Sequence, residues 1–329
     1  MFRQVILAAA VAMPSAAAAS TVGYSSFFVF GDSLSDPGDN LPAPLRPPSP
    51  PYDGGRFTNG LVWAQRTAAA FEAAGLPTEN FAQGGAEAAT DGDGIDDFAA
   101  QIDSFEATTT AATRGDRPLA AVWLGANDIF GGVEELAETG DFGAPGRAAA
   151  EAGGALSTGL DRLGALGVMD LLVFNLPALG ETPLLSGTLV QGLSNGVTGD
   201  FNDALAADLA GRPDLTVTLI DIAGLFDELI DDPIAFGDAS PFAPADWVID
   251  DSATPCIVPE PFSFCGPAEA RTRAFFDLVH PNATVHETIA NAVAARVDLP
   301  APIPLPAGAP LLLGGLAAIG ALRVASRTR

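Results

Sequence analysis

The chain has 329 residues with 41 acidic and 15 basic side chains, a formal net charge of -26, two cysteines and two histidines. A charge this negative repels phosphate backbones and anionic membrane surfaces, so nucleic acid is a poor partner candidate. Every basic residue is arginine, which leaves no lysine for Schiff-base or P-loop chemistry, and His280, His286, Cys256 and Cys265 are the only nitrogen and sulfur ligands a zinc site could use.

Residues 1–19 (MFRQVILAAAVAMPSAAAA) place Arg3 before an apolar run from Val5 to Met13 and a small-residue site at Ala17 and Ala19, the pattern of a secretory signal peptide. The alternative is a buried N-terminal helix, since the run is too short to span a bilayer. From about residue 20 to 299, short apolar runs alternate with longer helical patterns, which predicts a mostly parallel sheet covered on both faces. The predicted strands are Phe27–Phe30, a short one around Asn80–Ala82, Leu119–Leu124, Leu171–Phe174 and Leu215–Ile220. Helices are predicted over Leu61–Ala74, Asp96–Phe105, Ala148–Leu166, Thr198–Ala210, Ile222–Ile230 and Asn282–Val297. No internal repeat and no linker divides this stretch, so 20–299 reads as one domain although the length alone suggests two.

Beyond it, Pro300–Pro306 leads into the apolar segment Ala307–Leu322 and a tail bearing Arg323, Arg327 and Arg329. Sixteen apolar residues fall just short of the roughly 20 that span a bilayer, but a proline-rich entry and a basic exit fit a membrane anchor. The segment resembles the bacterial VPLPA-type C-terminal sorting signal, with IPLPA at Ile303–Ala307, and that resemblance implies a dedicated membrane protease as partner. An ordinary tail anchor is the alternative. Setting aside Arg3, Arg323, Arg327 and Arg329 leaves 11 basic against 41 acidic residues, so residues 20–299 carry about -30. In an exported chain Cys256 and Cys265 favour a single disulfide closing a proline-rich loop, which in the chain-entropy model stabilises locally by ~2–3 kcal/mol.

In open parallel sheets, chemistry sits in the loops beyond the carboxyl ends of the strands. After the first predicted strand comes Gly31-Asp32-Ser33-Leu34-Ser35-Asp36, which exposes a serine hydroxyl on a strand-to-helix turn, although Ser/Asp pairs also serve as plain helix caps. Asn80-Phe81-Ala82-Gln83-Gly84-Gly85-Ala86 offers a close-approaching backbone N–H, or simply a turn. Gly125-Ala126-Asn127-Asp128 puts an amide at a strand end, again with a turn as the alternative. Phe275-Phe276-Asp277-Leu278-Val279-His280-Pro281 sets a carboxylate three residues before one of the two histidines, the spacing at which Asp277 can hold one ring nitrogen while the other faces a serine. His286 falls on a partly apolar helix face and reads as a packed, hydrogen-bonded residue.

Together FGDSLSDPGDN, PYDGGRFTNGLVW, NFAQGGA, LGANDIF, FNLPALGETP, FNDAL and FFDLVHP resemble the GDSL family, also called SGNH hydrolases, in the longer branch that includes autotransporter esterases and plant GDSL lipases. The resemblance covers Phe27 to Val297. It implies a three-layer α/β/α sandwich on a flavodoxin-like five-stranded sheet, and esterase or lipase activity on small-molecule or lipid esters without metal or cofactor; a phospholipase or acyltransferase, a polysaccharide O-deacetylase and, more distantly, a non-catalytic surface protein are the alternatives. Carried over by residue, Ser33 is the nucleophile, His280 the base and Asp277 its orienting partner. The oxyanion donors are the Ser33 and Gly85 main-chain N–H groups and the Asn127 amide. Gln83, Glu87 and Asn282 depart slightly from the branch pattern.

Three further features need weighing. Asp91–Asp96 looks like an EF-hand fragment, but the glycine spacing is wrong and Ile102 stands where the bidentate glutamate belongs, so an acidic solvated loop is expected. Asn282-Ala283-Thr284 matches a glycosylation sequon by chance. The segments Phe130–Gly146 and Asp231–Pro267, with Phe130, Phe142, Phe236, Phe242, Trp247, Phe262 and Phe264, form either the mouth of an acyl pocket or solvent-facing loops.

Overall fold

The computed structural model describes residues 23–259 and 262–301. The expected signal peptide over 1–19 and, from residue 302 onward, the expected sorting segment lie outside the described residues. Among the described residues no helix is long and apolar enough to cross a membrane.

Five strands pair in parallel: β1 (Ser26–Gly31), β2 (Thr78–Asn80), β3 (Pro118–Trp123), β4 (Asp170–Phe174) and β5 (Thr216–Ile220). Their order across the sheet is β2-β1-β3-β4-β5. The chain leaves β1 in one direction to form β2 and then returns to form β3 on the other side, so the crevice of the switch point opens between the carboxyl ends of β1 and β3. Ten α-helices are described: α1 (Trp63–Ala73), α2 (Phe98–Thr108), α3 (Ala111–Arg114), α4 (Ala126–Thr139), α5 (Ala144–Ala165), α6 (Gln191–Ala210), α7 (Ile222–Asp231), α8 (Pro233–Ala239), α9 (Pro267–Ala270) and α10 (Ala283–Ala294). A two-stranded antiparallel hairpin, β6 (Ile257–Val258) with β7 (Ser263–Phe264), stands apart from the main sheet.

The layering follows from β1 itself. Successive strand side chains point to opposite faces, and here Phe27 stacks on Phe71 of α1 (ring centroids 5.1 Å apart) while Phe28 meets Phe105 of α2 edge-on at 4.9 Å. One face of the sheet is therefore closed by α1, against which α10 packs, and the other by α2 and its neighbour α5. Every residue of β1, β3 and β4 is buried, as expected of strands covered on both sides. The three-layer α/β/α sandwich with a five-stranded parallel sheet is thus the observed fold.

Most expected boundaries move by one to three residues, α2 for instance running Phe98–Thr108 rather than Asp96–Phe105. The short second strand lies at Thr78–Asn80 rather than Asn80–Ala82, α6 starts at Gln191 instead of Thr198, and α5 starts at Ala144 instead of Ala148. A larger correction concerns Phe130–Gly146, which is not a loop but most of α4 and the start of α5. Gly132 is required by packing, because a Cβ there would lie 2.7 Å from the Pro145 Cα. The buried stripe Ala126, Ile129, Gly132, Val133 and Leu136 has helical spacing.

Candidate active site

The turn after β1 is built around Asp32. Its main-chain carbonyl accepts from the N–H groups of Ser35 and Asp36, both at 3.0 Å, and its carboxylate accepts from Leu34 N–H at 2.9 Å. This brings Ser33 to the head of the crevice with its main-chain N–H donating to no other group among the described residues. The loop carrying Gly84 and Gly85 is fastened to the same place by two acids. Asp36 accepts from Gly84 N–H at 2.9 Å, and Asp128 accepts from Ala88 and Ala89 N–H, each at 2.9 Å. Gly85 has φ +89°, a backbone conformation that side chains rarely adopt. Beyond β3, Gly125 turns the chain at φ +116° into α4, whose first turn carries Asn127, with its side-chain amide donating to Ala86 O at 2.8 Å.

From the other side of the crevice comes the segment before α10. Asp277 Oδ1 accepts from the main-chain N–H groups of Val279 (2.9 Å) and His280 (2.8 Å), a tight Asx-type turn, and Phe276 N–H donates to His280 O at 2.7 Å. His280 Nδ1 then lies 2.7 Å from Asp277 Oδ2 and 2.9 Å from Oδ1, while Nε2 lies 2.7 Å from Ser33 Oγ. The segment is anchored by Asn282, the N-cap of α10. Its side chain accepts from Val285 N–H at 2.9 Å and donates to the carbonyls of Ala270 and Arg273. Asn282 is fully buried, so it does not present a glycosylation site.

Electrostatics follow from this packing. Burial alone disfavours a charged His280 ring, but the Asp277 carboxylate beside it, with Asp32 adding to the field, raises its pKa above the ordinary 6.5. Burial likewise works against a charged Asp277, yet the His280 ring and the donors around the carboxylate hold its pKa below 3.8. For Asp32 burial outweighs the Leu34 N–H bond and the nearby His280 ring and pushes it up to about 7. His286 behaves as expected: it is buried in α10, its Nδ1 accepts from Trp63 N–H at 3.4 Å, and burial pushes its pKa down to about 3.

Ser33, Asn127 and His280 line one cleft of about 580 Å³, including its open mouth, whose walls are otherwise mostly apolar: Leu34, Phe130, Leu179, Phe226, Ile230, Phe275 and Val279. Gly85 is not among the lining residues. Of the aromatics expected at a pocket mouth, only Phe130 is there. Phe236 is buried and packs on Trp247, Phe242 lies against the core, and Phe142, Phe262 and Phe264 face solvent away from the cleft. The acidic Asp91–Asp96 loop binds its own backbone through Asp91 and Asp93, and Asp96 accepts from the Gln83 amide at 2.9 Å.

No local pattern in the sequence marks Tyr52, whose hydroxyl donates to Asp277 Oδ2 at 2.7 Å. Its block, PYDGGRFTNGLVW, stands out as a motif, but a contact across 225 residues has no local pattern that reveals it. Asp36 and Asp128, which fasten the glycine loop, escape for the same reason.

A parallel α/β/α sandwich with a serine, a histidine and an aspartate hydrogen-bonded in a row at its switch point defines the class of protein. The GDSL-like Lipase/Acylhydrolase family profile matches residues 27–293, and the chain belongs to that family. Among curated proteins it is 28% identical over 337 residues to a phosphatidylcholine-sterol acyltransferase of Aeromonas hydrophila, a match covering 89% of this chain and 96% of that one. It is also 28% identical over 316 residues to an uncharacterized protein in the trpE-trpG intergenic region of Pseudomonas putida, covering 84% of this chain and 49% of that longer one. Among solved structures, a catalytic mutant of Axe2, an acetylxylan esterase from Geobacillus stearothermophilus, superposes with a TM-score of 0.49 at 12% identity, covering 85% of this chain and 97% of that one.

Proposed function

We propose that the protein is an exported serine hydrolase that cleaves carboxylic esters, with Ser33 as nucleophile, His280 as general base and Asp277 as the group that orients it. The observation that carries this reading is the unbroken row Ser33 Oγ, His280 Nε2, His280 Nδ1 and Asp277 Oδ2, with both links at 2.7 Å, opening on an apolar cleft. His280 takes the Ser33 proton as the hydroxyl attacks the ester carbonyl, then returns it to the leaving alcohol. Water repeats the sequence to free the acid. The Ser33 and Gly85 N–H groups and the Asn127 amide serve as oxyanion donors, and a donor of this kind contributes roughly 3 kcal/mol of transition-state stabilisation. Leu34, Phe130, Leu179 and Ile230 favour an acyl chain of several carbons over acetyl alone.

A second reading, acyl transfer to an alcohol in place of water, is favoured by the phosphatidylcholine-sterol acyltransferase to which nearly the whole chain aligns. The export pattern of residues 1–19, together with the IPLPA segment, apolar run and arginine tail, supports display or release at the cell surface.

The test uses the purified protein with p-nitrophenyl esters of graded acyl length, with and without an added alcohol acceptor. Hydrolysis is expected to fall by about 10⁴-fold or more in Ser33→Ala and in His280→Ala. Activity that survives Ser33→Ala overturns the assignment, and an acetyl-only profile moves it to deacetylation.

A further inference from the structure

The site contains one contact that the hydrolytic scheme does not use. Asp277 Oδ1 is satisfied within its own turn by Val279 and His280 N–H. Oδ2 faces His280 Nδ1 and, at the same distance of 2.7 Å, receives the Tyr52 hydroxyl. We propose that Tyr52 is a positioning residue for the hydrolytic site: its hydroxyl fixes the second oxygen of Asp277 and draws charge from it, limiting how strongly Asp277 stabilises a protonated His280. The inference rests on the reading of Ser33, His280 and Asp277 given above.

Tyr52 belongs to a segment that grips the catalytic loop at both ends. At one end its hydroxyl holds Asp277. At the other, Thr58 Oγ1 donates to Pro281 O at 2.9 Å, one residue beyond His280. Between them the segment is tied to itself, with Asp53 N–H donating to Thr58 O at 3.0 Å and the Arg56 guanidinium bridging Asp53 at 2.6 Å and Gly60 O at 2.9 Å. Aromatic contacts complete the clamp. The Tyr52 ring stands edge-on to Phe276 at 5.3 Å, and Phe57 lies against the His280 ring at 5.0 Å. Such a framework fixes the direction of the phenol O–H, which a surface tyrosine lacks.

The chemistry agrees with the geometry. Burial and the adjacent Asp277 charge push the Tyr52 phenol well above its ordinary 10.0, so it stays a donor across the working range. Asp277 is nearly closed off from solvent, so water cannot freely replace a lost donor, and the lone pair released would turn its charge onto His280. The titratable groups acting on His280 are Asp277 from its own loop, Asp32 from the turn after β1, and His286 from α10. Tyr52 touches only Asp277 among these.

Tyr52→Phe keeps the ring and its packing while deleting the hydroxyl. Two histidines make NMR titration of the imidazoles direct, since burial pushes His286 down to about 3 while His280 is raised above its ordinary 6.5, so the signal with the higher midpoint is His280. In Tyr52→Phe the His280 midpoint is expected to rise by about half a pH unit, kcat near neutral pH to fall about tenfold with KM within about twofold, and the acid limb of kcat to move up with the midpoint. An unmoved His280 midpoint overturns the proposal, whether kcat is unchanged or falls together with thermal stability, because Tyr52 is then only a strut. Ser33→Ala is assayed in parallel. Activity retained there counts against the hydrolytic reading, whereas the NMR midpoint needs no turnover and decides the action of Tyr52 separately.

Discussion

Asp32 stands next to Ser33, and burial, only partly offset by the Leu34 N–H and the His280 ring, pushes its carboxyl up to about 7 from 3.8. Between those values the folded protein holds a proton that the unfolded chain releases, so this group lowers stability as pH rises from about 4 to 7 and leaves the full cost in place above it. The rise corresponds to at most ~4 kcal/mol. Asp32→Asn, which keeps an oxygen for Leu34 N–H, is therefore expected to raise Tm at pH 8 by several degrees and to change it little at pH 4. Equal Tm values for wild type and variant at pH 8 would refute this. The same substitution removes one of the charges that raise the His280 pKa. The acid limb of kcat/KM, expected above pH 6.5 in the wild type because the base must be neutral to act, should move down in the variant. Residues of this kind divide cleanly by legibility. Ser33, Asp277 and His280 are legible as candidates, Ser33 from the GDSLSD block after an apolar strand and the other two because the chain has only two histidines and one follows an aspartate by three. The protonation of Asp32 and the role of Tyr52 are not, since both arise from burial and from partners distant in sequence.

At the scale of elements, the β6–β7 hairpin does more than close a loop. Its disulfide joins Cys256 to Cys265, and Cys256 with the start of β6 is hydrogen-bonded to the residues preceding Asp277: Cys256 N–H donates to Phe275 O at 3.2 Å and Ile257 N–H to Phe276 O at 2.8 Å. Tyr52 and Cys265 pack on the same small cluster of Cys256, Ile257, Ala270 and Phe276. The disulfide, worth ~2–3 kcal/mol for so short a loop, thus closes the hairpin that backs the Asp277–His280 segment. Replacing both cysteines by serine is expected to speed amide hydrogen exchange over residues 254–280 and to lower kcat severalfold, with a smaller effect on the main sheet. Unchanged exchange at Ile257 would mean that the backbone bonds hold the hairpin without the disulfide. The sequence pattern revealed β1, β3 and β4 because each is a wholly buried apolar run, whereas a two-residue strand leaves no periodicity to read. Helix α4 was missed for a different reason. Its Gly132 is a packing requirement between α4 and α5, and that neighbour has no local sequence signature.

For the molecule as a whole, the imbalance of 41 acids against 15 arginines has a location as well as a size. Arg56, Arg66, Arg117, Arg147, Arg162, Arg212, Arg271 and Arg273 are each paired with a carboxylate, so much of the positive charge is spent locally. Among the described residues no arginine lines the cleft, while Asp32 does, and Asp128 and Glu87 lie near the loops that frame it. A substrate approaching Ser33 therefore meets a field of one sign, focused by apolar walls that screen poorly. For two p-nitrophenyl esters of equal acyl length, one ending in a methyl group and one in a carboxylate, kcat/KM should favour the neutral ester by about tenfold or more at low ionic strength. Much of that preference arises outside the cleft, where salt reaches the charges. At about 0.5 M salt the Debye length falls to a few ångströms, and the ratio should shrink, mainly through faster capture of the anionic ester. What remains at high salt measures the desolvation of the carboxylate against Phe130, Ile230 and their neighbours. A ratio that is indifferent to salt would assign the whole preference to those walls, and a preference for the anionic ester would contradict the field that this charge distribution produces.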